Sequence, residues 1–535
     1  MQQNNRFGVM LDMSRNAVMK VEEIKKYAKT LKAMGYNMIQ LYTEDTYEVD
    51  GEPYFGYLRG RYSQEELKEV VAYCNGLDME VIPCIQTLAH LNQIFRWRAY
   101  DSINDYADIL LVEEEKTYAL IENMFKSIRK CFTSNYVHIG MDEAHMLGLG
   151  KYLDKHGPVR RFDILLNHLQ KVCEIAKKYD FKPLMWSDMF FRLEHKGEYY
   201  GKDFTVGEDV RALVPQEVGL VYWDYYHTEK EMYDGMISAH QQFDNDVWFA
   251  GGAWTWSGFV SGNQKTFETM IPAMQSCKEK GIKYILMTMW GDNGKESSFY
   301  SVLPALYTIK RVYDGETDME KIKAEFAEIT GENFDDMCLF DAANYINGKK
   351  DCLYNVSKHA FYSDPFNGYL DLSFTDAETA KAYYVDLAKR LESAAKSSKY
   401  AYIFDCHAKL CKVLALKYDL GVRTRSAYQA EDKKSLKGLL ADYTKTEKAV
   451  RVFYEAFKTL WMKENKPHGF DVQDIRIGGL LQRLSACKAR IKEYLAGKVD
   501  KIDELEEELL PFQNLEPDGT LCMNTWVYNV TTNIL

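Results

Sequence analysis

The sequence predicts a (β/α)8 barrel followed by an all-α C-terminal domain. Three observations carry that prediction. Between Arg6 and about Asp314 a short apolar, β-branched run recurs eight times. Each run leads into a polar or aromatic cluster and then an amphipathic, helix-like stretch. After about Gly315 the β signals fade and long helical patterns take over. Strands that alternate with helices in this way form parallel sheets, and eight such units close into a barrel. An open, doubly wound sheet is the competing reading.

The strand candidates are FGVML from Phe7, NMIQLY from Asn37, EVIPCI from Glu80 and YVHIG from Tyr136. They continue with PLMWS from Pro183, GLVYWD from Gly219, DVWFAG from Asp246 and YILMTMW from Tyr284. Helical spacing of apolar residues at i, i+3 and i+4 appears between them, as in KVEEIKKYAKTLKAMG and SQEELKEVVAYCNGL. The second of these opens with Ser63 and has Glu66 three residues later, the pattern of a capping box. Beyond Gly315, only Leu370 to Phe374 reads as β-like. The remainder carries four long helical patterns, beginning near Asp376, Ala401, Lys434 and Gly478. The expected domains are therefore residues 1–315, a catalytic barrel, and residues 316–535, a helical domain.

Composition narrows the partners. The chain has 535 residues and a formal net charge of −12, with no long basic run. Nucleic acid and anionic membrane surfaces are thus poor matches. The eleven cysteines are scattered, with no C-x-x-C pair, which suits reduced thiols. MQQNNRFGVML shows neither a basic nor an apolar leader region, and no apolar run approaches membrane-spanning length. A cytoplasmic location is expected.

In a barrel of this kind, functional side chains sit at the C-terminal ends of the strands. Here those ends carry Asp12 and Arg15, then Glu44 and Asp45, then Gln86 and His90. Next come Asp142 and Glu143, Trp186 and Asp188, and Trp223, Asp224 and Tyr225. The last two ends supply Trp254 with Trp256, and Trp290 with Asp292 and Asn293. Singly, each has an ordinary structural role: a core plug for a Trp, a helix N-cap for Asp188 or Asp292. On one rim they would line a cavity of indole faces, carboxylates and one Arg. Such a lining suits the C–H faces and hydroxyls of a sugar, and paired acids beside it suggest glycoside hydrolysis. Asp142 and Glu143 are adjacent, so both reach a substrate only where the chain turns. One would then serve as proton donor and the other as ionised partner.

HIGMDEAH resembles the H-x-G-G-D-E signature of glycoside hydrolase family 20, the β-N-acetylhexosaminidases. LDMSRN is similar to the family's D-x-x-R, the AH ending in His90 to its G-H, and MWGDNG to its W-G-E. The resemblance spans the barrel. Most members begin with a small α/β domain, whereas this chain starts at the barrel, so it resembles a divergent bacterial branch.

The resemblance implies exo-acting, retaining hydrolysis of terminal N-acetyl-β-D-glucosamine, with galactosamine left open, and no metal or cofactor. Glu143 would be the acid/base. Asp142 would aim the substrate's own acetamido group, which attacks C1 to give an oxazolinium ion. Arg15 would hold the 3- and 4-hydroxyls, and Asp292 the 4- and 6-hydroxyls. Trp186, Trp223, Trp254 and Trp290 would form the walls, and His90 with Glu44 or Asp45 would support Glu143. Three positions depart from the family pattern. Met141 replaces the second Gly, Asp292 is one methylene shorter than Glu, and Thr255 stands where a Tyr binds the acetamido oxygen. Tyr225 or Tyr222 could supply that phenol. His138 and His145 read as structural neighbours.

Two other functions compete. One is a barrel glycosidase with its own carboxylate nucleophile at Asp188, Asp224 or Asp292; the other is a sugar-binding protein without catalysis. The expected partner is a glycan with a terminal N-acetylhexosamine, and homodimerisation is left open.

Overall fold

The computed structural model describes residues 5–346, 354–515 and 524–530. Its first part is a closed, eight-stranded parallel barrel. The strands are β1 (Arg6–Asp12), β2 (Met38–Tyr42), β3 (Glu80–Cys84) and β4 (Tyr136–His138), then β5 (Lys182–Trp186), β6 (Gly219–Trp223), β7 (Val247–Gly252) and β8 (Tyr284–Met289). Each pairs with its neighbours in sequence, and β1 closes on β8 with Arg6 opposite Tyr284. All eight runs read from the sequence are these strands, so the open-sheet alternative is set aside. Strands such as β2, β6 and β8 are buried at every position. That is why they read as continuous apolar runs rather than as an alternation.

The helices between the strands follow their apolar stripes. Helix α1 (Val21–Ala33) buries Ile24, Tyr27, Ala28 and Leu31 on one side. Helix α2 (Gln64–Asn75) starts at the expected capping box. Ser63 accepts the Glu66 amide, and the Glu66 carboxylate accepts the Ser63 amide. The loop after β3 holds a small antiparallel pair, Asn104–Tyr106 with Ile109–Leu110, that no periodicity signalled.

The chain divides into two compact units. The first comprises residues 1–253, 266–290 and 305–325; the second, residues 254–265, 291–304 and 326–535. The second unit is built largely of helices, including Ala377–Ala394, Ala401–Lys417, Lys433–Glu464 and Phe470–Leu495, which pack in succession. The β-like reading of Leu370 to Phe374 is corrected: Asp371–Ser373 is a 3-10 turn. The Ser373 amide bonds the Leu370 carbonyl and the Phe374 amide that of Asp371, so the segment closes on itself. Among the described residues no helix is long and apolar enough to cross a membrane.

Candidate active site

All eight strands run in parallel, so their C-terminal ends share one face of the barrel. The turn after β4 is the most unusual of these ends. Gly140, Met141 and Glu143 adopt φ of 73°, 71° and 50°, the left-handed region. That conformation costs nothing at Gly but of order 1–3 kcal/mol at a residue with a side chain. A Cβ on Gly140 would lie 1.9 Å from Gln86 Oε1, so a larger residue there would have to displace the Gln86 amide. Met141 keeps the backbone conformation of a glycine although it is a methionine.

This turn drives the two acids apart. Asp142 points inward and is 8% exposed. Its Oδ1 accepts Gln86 Nε2 at 3.1 Å. Gln86 also donates to the Tyr42 hydroxyl at 3.0 Å, and Tyr42 donates to Glu44 Oε1 at 3.0 Å. A polar chain therefore crosses the ends of β2, β3 and β4. Glu143 turns outward, with 43% of its side chain exposed.

His90 sits between the acids. Its Nε2 lies 3.2 Å from Asp142 Oδ2 and 3.8 Å from Glu143 Oε2. The geometry is a close charge contact rather than a well-aligned hydrogen bond. Its backbone, at φ 58°, is fixed by donation to Asp108 Oδ2 at 2.9 Å. Burial opposes the imidazolium, but the Asp142 carboxylate outweighs burial and raises His90 to about 9. Conversely, burial pushes the Asp142 carboxyl up, while His90, Gln86 and Arg15 together hold it below the usual carboxylate range. Donor atoms of His90, Asp142 and Glu143 converge within 4.8 Å.

Arg15 lies beside this group. Its guanidinium is 4.8 Å from the Tyr42 ring centre and 4.6 Å from that of Trp290, with Asp12 at 3.3 Å and Glu44 at 3.5 Å. The two rings meet edge-to-face 4.7 Å apart, and the guanidinium packs against both of them. Of the two acids after β2, Glu44 faces Arg15 and His90. Asp45 instead contacts Arg59 at 3.3 Å.

The aromatic groups connect around the same rim. Trp290 is 4.7 Å from Tyr42 and 6.1 Å from Trp186, which in turn lies 4.3 Å from the His138 ring. Trp223 stacks on Tyr225 at 5.3 Å and 23°. The Tyr225 phenol is within hydrogen-bonding reach of Trp290 and Thr288, and its surroundings include Asp142. Tyr222 is spent elsewhere, donating to Asp224 at 2.8 Å. His138 is buried, with Nδ1 accepting the Gly140 amide, and burial holds its pKa down at about 3. His145 is exposed. Trp254, Trp256 and Asp292 belong to the second unit. There Trp254 stacks on Trp256 at 4.1 Å, and half-buried Asp292 opens the 3-10 turn Asp292–Gly294.

Two residues carry more of the site than their types suggested. Gln86 ties three strand ends together, and nothing in its sequence neighbourhood marks it beyond its rim position. Asp188, read as a helix cap, is the first residue of helix Asp188–Glu194 and serves a different purpose. Its Oδ2 accepts the Glu143 amide and Arg192 Nε, both at 3.2 Å. Its Oδ1 is buried without a hydrogen-bond partner among the described residues. Burial, and then the charge of Asp142, push this carboxyl up.

Two family models match this chain. The glycosyl hydrolase family 20 catalytic domain covers residues 6–231, and the Glycoside Hydrolase 20C C-terminal domain covers residues 332–523. Hexosaminidase D of Bos taurus is 28% identical over 227 residues, 41% of this chain and 62% of that protein. Hexosaminidase D of Homo sapiens is 25% identical over 226 residues, 41% of this chain and 44% of that protein. The match thus spans less than two thirds of either relative. The X-ray structure of Flavobacterium johnsoniae chitobiase superposes with a TM-score of 0.49 and 15% identity, over 86% of this chain and 78% of that one. With catalytic and C-terminal family models both matched, and with the D-E pair set at the end of the fourth barrel strand, the chain belongs to glycoside hydrolase family 20.

Proposed function

We propose that this protein is an exo-acting β-N-acetylhexosaminidase that releases terminal N-acetyl-β-D-glucosamine, and N-acetylgalactosamine where the 4-hydroxyl contact allows. Residues 1–315 form the catalytic part of this reading and residues 316–535 a helical domain. The observation that carries it is the unequal setting of two adjacent acids around one imidazole. Asp142 is buried and ion-paired, whereas Glu143 reaches outward and is free to exchange a proton with solvent or substrate.

Glu143 protonates the glycosidic oxygen as the acetamido carbonyl oxygen of the substrate attacks C1. The C1–O bond breaks, the alcohol leaves with the proton, and an oxazolinium ion remains. Glu143 then removes a proton from water, which opens the ring with net retention. Asp142 stays ionised, accepts the acetamido N–H and offsets the positive charge that develops on that group. The Tyr225 phenol donates to the acetamido oxygen, the role left open by Thr255. Arg15 binds the 3- and 4-hydroxyls, while Trp186, Trp223 and Trp290 wall the pocket. His90 and Glu44 hold the acids in place.

An enzymic nucleophile is the weaker reading. Asp188 is fully buried beneath the Glu143 amide, and Asp224, also fully buried, accepts Tyr222, Tyr226 and His227. The nine cysteines in the described residues are all unpaired, which supports a reducing, cytoplasmic setting.

The test is a panel of aryl β-glycosides bearing GlcNAc, GalNAc, glucose or galactose, with a thiazoline that mimics the oxazolinium as inhibitor. Turnover of the two acetamido sugars and tight thiazoline inhibition are expected. Equal turnover of glucosides, or a glycosyl-enzyme trapped by a fluorosugar, would refute the mechanism.

A further inference from the structure

The ends of β4, β5 and β6 are neighbours on one face of the barrel, with β5 in the middle. The helix Asp188–Glu194 begins just past β5, and its Met189, Phe190 and Phe191 are buried, so it is packed firmly in place. Asp188 and Arg192 stand four residues apart on one side of it, acid before base, the favourable order along a helix. Asp188 is fully buried, and the Arg192 side chain is 19% exposed. Arg192 Nε and the Glu143 amide both donate to Asp188 Oδ2 at 3.2 Å. Burial and the charge of Asp142 push this carboxyl up, and Arg192 opposes them. Burying a carboxylate costs far more than an i, i+4 pair returns on a helix surface, about 0.3–0.5 kcal/mol. A pair that served the helix alone would sit in solvent.

Arg192 also reaches the aromatic wall at the end of β6. Its guanidinium carbon lies 5.5 Å from the Tyr199 ring centre and 6.0 Å from that of Trp223, within the range of cation–π attraction. Its Nη1 donates to the Gly197 carbonyl at 3.0 Å, which ties it to the loop that carries Tyr199. Tyr199 holds Trp223 twice: its hydroxyl accepts the Trp223 amide at 3.2 Å, and the two rings lie 4.9 Å apart. Trp223 in turn stacks on Tyr225. One chain of contacts therefore runs from the Glu143 amide through Asp188 and Arg192 to Trp223 and Tyr225, and all of it lies within the first unit. Glu143 sits at φ 50°, so fixing its amide fixes the direction in which its side chain leaves the turn.

We propose that Asp188 and Arg192 are positioning residues that tie the outward acid Glu143 to the Trp223 wall. A terminal sugar seated against Trp223 then steadies Arg192, and Arg192 through Asp188 fixes the turn that aims the Glu143 carboxyl at the glycosidic oxygen. Neither residue need touch the substrate. This rests on the hydrolase reading above. Misplacing a catalytic group by about 1 Å can cost about 10²-fold in rate, so the loss of such a link is measurable.

The experiment measures kcat on phenyl and dinitrophenyl β-N-acetylglucosaminides, a poor and a good leaving group, with the melting temperature of every variant. Arg192→Ala should lower kcat about tenfold on the phenyl glycoside and less than about threefold on the dinitrophenyl one, because only the first needs a well-aimed proton. Arg192→Lys keeps the charge but not the planar face, and should fall between Arg192→Ala and wild type. In a Glu143→Gln background no acid is left to aim, so Arg192→Ala should add less than about twofold to the loss on the phenyl glycoside. No loss in Arg192→Ala, equal losses on the two glycosides, or the same full loss added to that of Glu143→Gln overturns the link and leaves the ion pair a structural one. If Arg192→Ala does not fold, Arg192→Lys decides: a loss greater on the phenyl glycoside supports the link, and an equal loss or none overturns it. A wild-type protein inactive on both glycosides instead refutes the hydrolase reading, and the link falls with it.

Discussion

The ends of β4 and β6 look alike in sequence and differ in what their acids have left to offer. Both place an acid next to aromatic or imidazole side chains just past a buried strand. At β6, Asp224 is fully buried and its oxygens are consumed. Tyr222 and His227 Nδ1 each donate at 2.8 Å, and the Tyr226 amide at 3.1 Å. Its hydrogen bond raises the pKa of His227, so the pair is locked. At β4, successive left-handed residues turn one acid inward and the next outward. Acid identity alone does not make a catalytic group. What matters is how many lone pairs the surrounding protein has already used.

The largest effect should come from Glu143→Gln. Loss of the proton donor should lower kcat by about 10²–10⁴ on substrates with poor leaving groups, and much less on activated aryl glycosides. Leaving-group dependence measured across a phenol series checks this. Asp142→Asn should follow, with about 10²–10³ lost from kcat and thiazoline affinity falling in parallel. If both variants behave identically across leaving groups, the division between inward and outward acid is wrong.

The third effect is on stability. His90 is raised by its contact with Asp142 to about 9 in the folded state. A raised histidine contributes stability that is fully present below its unfolded value near 6.5 and is lost as pH rises through about 9. The depressed Asp142 contributes in the opposite sense, stabilising above its unfolded value and losing that as pH falls. The unfolding free energy from denaturant titration should decline by up to about 3 kcal/mol between pH 7 and 10, and His90→Asn should flatten that decline. The smallest effect belongs to Asp224→Asn. It should cost about 1–3 kcal/mol of stability and leave activity per folded molecule nearly unchanged. A folded but inactive Asp224→Asn protein would break the comparison between the two strand ends.

Much of this was legible before any coordinates. Strands buried on both faces leave continuous apolar runs, and the helices between them leave a 3.6-residue stripe, so the barrel could be counted from the sequence. The D-E pair stood out because adjacent acids are costly unless a turn separates them. What could not be read was allegiance. Asp45 and Glu44 are neighbours, yet one serves Arg59 and the other faces Arg15. Tyr222 and Tyr225 were equal candidates until the first proved bonded to Asp224. Asp188 looked like a cap because caps are decided locally, whereas its partner is an amide 45 residues away. The same limit explains the missed pair Asn104–Tyr106 and Ile109–Leu110, which are too short to show a period.

Met141 bears on how this protein could be engineered. Its family counterpart is glycine, and the φ of 71° is one that glycine adopts without strain. Restoring glycine would relieve roughly 1 kcal/mol of backbone strain. The methionine side chain, however, is completely buried, and deleting it would leave a void worth about 2–5 kcal/mol. A consensus-guided redesign that trusts the family average would therefore weaken the protein at the turn that sets its two acids apart.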